Sequence, residues 1–204
     1  MKLKLIIVFF GGSPMTFILM LIILTVSSLG LLNKRVFSAL MLHPYSIVKN
    51  REYYRVISAD LVHNDLLHLV FNEFVLYAFG SGLEEHLRGR SGYGSCQFLF
   101  IYLVSLLTGG IIATVRHRKD FGYSTTGASG SVMGCMFSLI LLVPRGTGLD
   151  IAFIGPVKNI YAGLFYIIFL ILFQRRKGEI NYEVHFFGAL GGIAATLVLF
   201  PWIQ

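Results

Sequence analysis

Charge is what this chain has least of. Only 13% of its 204 residues are Asp, Glu, Lys or Arg, about half the ~25% of an ordinary soluble domain. With 55% hydrophobic residues, it is also too apolar to be a disordered chain. Cysteine is scarce: Cys96 and Cys135 are the only two, both within or beside apolar runs. That argues against a disulfide scaffold or a cysteine metal site and reads both as small buried hydrophobes. There is no internal repeat, no low-complexity tract and no basic run interleaved with aromatics, so nucleic acid is not an expected partner. Lys2 and Lys4 precede a short apolar stretch with no A-x-A cleavage site after it. The first helix is therefore expected to be a retained anchor rather than a signal peptide.

Long uncharged runs take the place of charge. A bilayer-spanning helix needs about 20 residues, so a chain of 204 residues holds about six crossings and little else. The runs predict one all-α polytopic membrane domain over 1–204, a six-transmembrane-helix bundle with spans at about 15–32, 61–82, 97–115, 127–143, 156–173 and 184–203. The fifth is the weakest. Its charge-free core, 160–173, is 14 residues long and crosses only by recruiting residues near Pro156 and Lys158. The connection 33–60 is long for a plain loop. It mixes Phe37, Leu40, Met41, Tyr45, Tyr53 and Tyr54 with five basic residues, a composition suited to the membrane interface. The net charge of +7 falls mainly in the connections, where basic side chains meet lipid headgroups.

Ionisable groups inside the bilayer are costly and usually functional. His63, His68 and Asn72 stand near the start of the second span, with His68 and Asn72 four apart and so on one helix face. His63, five before His68, lies well around the helix and is expected to brace its start. Gly127-Ala128-Ser129-Gly130 opens the fourth span and His185 the sixth. Taken alone, G-x-S-G is more often a helix start with small packing residues. Gly130 and Gly134 on the fourth span, and Gly188 and Gly192 on the sixth, repeat a four-residue spacing that lets helix backbones approach closely. Packing through these faces would bring Ser129 and His185 together. Six antiparallel crossings also start the second, fourth and sixth spans from one side, which puts all these polar residues at one depth.

A serine beside a histidine, with further donors across a gap, is the minimum for acyl transfer. Together the segments His63-Asn64-Asp65-Leu66-Leu67-His68-Leu69-Val70-Phe71-Asn72, Gly127-Ala128-Ser129-Gly130 and His185-Phe186-Phe187-Gly188, with Glu84, resemble the rhomboid family of intramembrane serine proteases in its minimal six-helix form. The resemblance implies Ser129 as nucleophile and His185 as base. It implies an oxyanion site of His68, Asn72 and the Ser129 backbone, with His63, Gly127, Gly130, Met133 and Gly188 in support. It also implies a membrane-embedded loop at 33–60 and a fifth span near the substrate entrance. Two positions depart from the family pattern: Tyr54-Arg55 stands for Trp-Arg, and Met133 for an aromatic under the histidine ring.

The expected function is thus cleavage of single-span membrane proteins near the membrane surface, without cofactor or metal, with lipids and transmembrane substrates as partners. Two other classes are weighed. One is a noncatalytic membrane chaperone that grips client helices. The other is a transporter using His63, His68, His185 and Glu73, although H-E-x-x-H is absent. Orientation carries conflicting signals. With an internal N-terminus, 6 basic residues fall inside and 11 outside, which by the positive-inside rule would invert the chain. The resemblance implies the opposite, a multi-pass protein of a prokaryotic plasma membrane with its site facing outward. Oligomeric state and the role of Glu73 are not legible.

Overall fold

The computed structural model describes residues 12–147, 149–151, 155–175 and 182–201. Its elements in order are α1 (Pro14–Leu32), α2 (Lys34–Leu40), α3 (Pro44–Asn50), α4 (Arg55–Ser58), a 3-10 turn (Ala59–Leu61), α5 (Leu66–Arg90), α6 (Gly94–His117), α7 (Ser129–Leu142), β1 (Leu149–Ile151), β2 (Gly155–Val157), α8 (Asn159–Arg175) and α9 (Tyr182–Leu199). Among the described residues, α1, α5, α6 and α9 are long and apolar enough to cross a bilayer. Four apolar helices of this length suit an integral membrane protein. The shorter α7 has 14 residues, about 21 Å of helix at 1.5 Å per residue.

Several helix ends have an identifiable cause. Pro14 opens α1 where its missing N–H costs nothing. The buried Glu84 of α5 caps the same end from across the bundle, accepting from the amides of Met15 at 3.0 Å and Thr16 at 2.8 Å, and from Ser95 Oγ at 2.6 Å. Asn33 ends α1 and starts α2, its side chain accepting from Arg35 N at 2.9 Å. Asp65 caps α5 by accepting from His68 N at 2.8 Å. Residues 61–65, expected inside the second span, are therefore a lead into it, with Leu61 closing the 3-10 turn and 62–65 irregular. Further along, α5 loosens into a π-turn at Leu76–Gly80.

The loop after α1 is structured, not extended. Arg55 folds under it, donating from Nη1 to Ser38 O at 2.8 Å and Met41 O at 3.0 Å while pairing with Glu52. Leu42 and Thr125 exchange backbone hydrogen bonds of 2.9 and 3.0 Å, fastening this loop to the segment before α7. The antiparallel ribbon of β1 and β2, paired Leu149 with Val157, is a small departure from an all-α chain. Residues 1–11, ahead of the expected first span, and residues 202–203, the end of the expected sixth, lie outside the described residues.

At the centre, α6, α7 and α9 pack almost backbone to backbone. A Cβ added at Gly188 would meet the Gly130 carbonyl oxygen, one at Gly192 the Gly134 carbonyl, and one at Gly109 the Val184 carbonyl at 2.8 Å. The glycine faces expected to pair do so. Around this centre α1 and α8 turn Leu21, Leu24, Leu29, Leu164, Phe165 and Leu172 outward, the apolar exterior a bilayer requires.

Candidate active site

Ser129 is the first residue of α7, and the turn before it is unusual. Gly127 has φ +102°, a left-handed backbone, and a Cβ there would lie 2.7 Å from His68 Cε1. Only glycine suits both conditions. Gly127 N–H donates to Ala59 O at 2.9 Å, and Ala128 N–H to His63 Nε2 at 3.3 Å. On its other side His63 Nδ1 lies 2.8 Å from Ser27 Oγ, which itself reaches Leu61 O at 2.8 Å. One arrangement satisfies all of these: Ser27 donates to Leu61, His63 Nδ1–H donates to Ser27, and Nε2 accepts from Ala128. His63 is then neutral. That agrees with a pKa lowered to about 3, first by burial and then by the nearby His68. His63 thus braces the serine turn, where its place in the sequence had suggested the start of its own helix.

Across from it, Ser129 Oγ lies 2.5 Å from His185 Nε2. The two residues are 5% and 6% exposed, yet both line a cavity of about 260 Å³ shared with His68, Ser124, Thr125, Thr126, Phe37 and Met41. The hydroxyl-rich loop 124–126 gives that cavity a polar wall. His68 stands edge-on to His63, ring centres 4.8 Å apart, with its Nε2 on the Gly127 side of the cavity. The first amides of α7 have no intrahelical partner. They supply backbone donors at the same place.

The remaining expected residues are placed less directly. Asn72 is buried and absent from the cavity wall. Its Nδ2 donates to His68 O at 2.9 Å and its Oδ1 has no hydrogen-bond partner, so its amide points back along its own helix. Met133 is buried one turn below Ser129. Gly130 and Gly188 serve the helix contact already described. Glu73 leaves Oε1 buried without a partner, and nothing in the structure explains it. Among the described residues no group of three or more His, Cys, Asp or Glu is arranged to hold a metal.

Several contributors had no sequence signal. Ser27 comes from α1. Glu183, two residues before His185, bonds His117 Nε2 at 2.8 Å and lies 2.5 Å from Arg116 Nε, an approach too bent to be a hydrogen bond. His117 in turn stacks flat on Tyr123 at 3.7 Å. The start of α9 is thereby tied to the end of α6 and to the loop leading to Ser129.

Residues 50–202 match the family model described as the Rhomboid domain. The chain belongs to the rhomboid family. It is 29% identical over 154 residues to rhomboid protease GluP of Bacillus subtilis, covering 76% of this chain and 27% of that protein. Rhomboid-like protein 15 of Arabidopsis thaliana is 25% identical over 168 residues, 79% of this chain and 40% of that one. Rhomboid protease GlpG of Haemophilus influenzae is 30% identical over 137 residues, 61% of this chain and 67% of its own length. The match thus spans well under half of the first and second of these relatives. Ser129, His185 and His68 of this rhomboid all lie inside the matched region.

Proposed function

We propose that this chain is an intramembrane serine endopeptidase acting on single-span membrane proteins through a Ser129–His185 dyad. The observation that carries the reading is the 2.5 Å contact between Ser129 Oγ and His185 Nε2 beside a polar cavity. Relatives named as rhomboid proteases support it.

In this mechanism His185 holds its proton on Nδ1 and accepts the Ser129 proton at Nε2 as Oγ attacks the scissile carbonyl. The resulting oxyanion is met by the Ser129 amide and His68, each donor worth about 10²–10³ in rate. Collapse of the tetrahedral species breaks the C–N bond, and His185 returns its proton to the leaving amine. Water entering past Ser124–Thr126 then gives His185 a proton and attacks the acyl-enzyme, and Ser129 recovers its hydrogen. Asn72 joins the oxyanion site once its side chain rotates away from the His68 carbonyl. The reading takes six crossings, with α7 and α8 counted as spans, lipids around the bundle, and a prokaryotic plasma membrane with the site outward.

The test is cleavage of a generic single-span substrate by purified protein in detergent. Ser129→Ala and His185→Ala are expected to abolish cutting at unchanged melting temperature, and Asn72→Ala to reduce kcat about 10²-fold with KM little changed. Cutting that survives Ser129→Ala would sink the reading.

A further inference from the structure

The segment just before α5 holds a buried carboxyl that the mechanism above does not use. Asp60, in the 3-10 turn, is 7% exposed. Its Oδ2 accepts from Tyr102 OH of α6 at 2.5 Å and its Oδ1 from Ser131 Oγ of α7 at 2.7 Å. A buried carboxyl is expensive unless its oxygens are bonded, and here each oxygen has its own donor from a different helix.

Ser131 is the informative partner. A helical serine or threonine usually turns back onto the carbonyl four residues earlier. Ser105 does so to Ile101, Thr114 to Gly110 and Thr196 to Gly192. For Ser131 that carbonyl belongs to Gly127, ahead of the helix, and its hydroxyl reaches Asp60 instead. The neighbouring Ala59 carbonyl holds Gly127 N–H at 2.9 Å. Residues 59 and 60 therefore grip the chain two positions before and two positions after Ser129.

We propose that Asp60 is a positioning residue for Ser129, its carboxyl fixing the first turn of α7 through Ser131 and anchoring that turn to α6 through Tyr102. The inference rests on the protease reading. Asp60 touches no reacting atom. It acts by setting where the Ser129 hydroxyl points relative to His185. Burial raises the Asp60 carboxyl from 3.8 to about 6, against the pull of its two hydrogen bonds. The groups facing it are Tyr102 from α6 and Ser131 and Cys135 from α7. Protonation makes the carboxyl a donor, so one partner must turn to accept and the grip on Ser131 changes.

The experiment uses the full chain in detergent, with Asp60→Asn, Asp60→Leu and Ser131→Ala beside wild type. It reads melting temperature, kcat and KM on a single-span substrate, and the labelling rate of Ser129 by a fluorophosphonate. Asp60→Asn and Ser131→Ala are expected to lower kcat and the labelling rate together, about tenfold or more, with KM within about twofold. Wild-type kcat should show an inflection near pH 6 that Asp60→Asn removes. Unchanged kcat and labelling in the variants would overturn the proposal, as would losses that follow melting temperature alone. Should Asp60→Leu fail to fold, Ser131→Ala still decides. A wild type that neither cleaves nor labels overturns the protease reading itself, whereas a labelling wild type with unperturbed variants overturns only the role of Asp60.

Discussion

At Ser129 the protein spends several residues on the aim of one hydroxyl. His63, Ala59 and Asp60 each hold a neighbour of Ser129 rather than Ser129 itself, leaving its oxygen for His185. Two of these supports titrate with opposite effects on stability. His63 is lowered from 6.5 to about 3, so folding favours its neutral form. Its contribution is complete above pH 6.5 and is lost as pH falls towards 3, because the unfolded chain takes up a proton the folded one refuses. Asp60 is raised from 3.8 to about 6. Its contribution is complete below 3.8 and is lost as pH rises through 6. The two windows overlap from about pH 6 to about pH 4, where the extra proton of the unfolded state on His63 and that of the folded state on Asp60 cancel, so wild-type melting temperature should stay nearly flat there. His63→Gln should make it rise as pH falls through this range and Asp60→Asn should make it fall, measured by thermal unfolding in one detergent. A profile unchanged by either substitution would exclude both assignments.

Between elements, the distance from Ser129 to His185 is set by the contact of α7 with α9. Gly130 opposes Gly188, and Gly134 opposes Gly192, close enough that a methyl group would collide with a backbone carbonyl. Gly188→Ala should force the helices apart near the site while leaving most of the bundle in place. The expected outcome is a loss of about 10² in kcat, since a misplacement of about 1 Å costs that much. Activity within twofold of wild type would mean that the spacing is tolerant. The glycine pattern was legible in the sequence because small-residue spacing follows directly from helix geometry. The π-turn at Leu76–Gly80 was not, since a one-residue bulge leaves the apolar pattern of α5 unbroken. The start of that helix was also displaced: Asp65 caps it, so residues 61–65 form the lead that carries His63 beneath the serine turn.

On the scale of the whole molecule, the N-terminal ends of α5, α7 and α9 meet at one end of the bundle, around the cavity holding Ser129, His185 and His68. Which side of the membrane this end faces is a separate matter, on which charge distribution and family resemblance differ. With Cys96 and Cys135 removed, Ser124→Cys reports the site end. Gly92→Cys, between α5 and α6 where an added Cβ meets nothing within 4 Å, reports the opposite end. An impermeant maleimide on intact cells should label the first and reach the second only after permeabilisation. The reverse pattern would place the site in the cytoplasm and make the 6-to-11 division of basic residues the better guide.

By itself the amino-acid sequence determined the membrane class and the approximate helices. It also marked His63, His68, Asn72, Ser129 and His185 as candidates. Bilayer length, hydropathy and short motifs are local properties that can be read along a chain. Tertiary structure alone decided what those residues touch. Asp60 meets Tyr102 across 42 positions and Ser131 across 71, Ser27 meets His63 across 36, and Ser129 meets His185 across 56. Asn72, for all its place in the motif, turns its amide back onto its own helix. Such pairings depend on crossing positions and side-chain rotations of separate helices. No local pattern encodes them, because the energy that selects them comes from packing many distant residues at once.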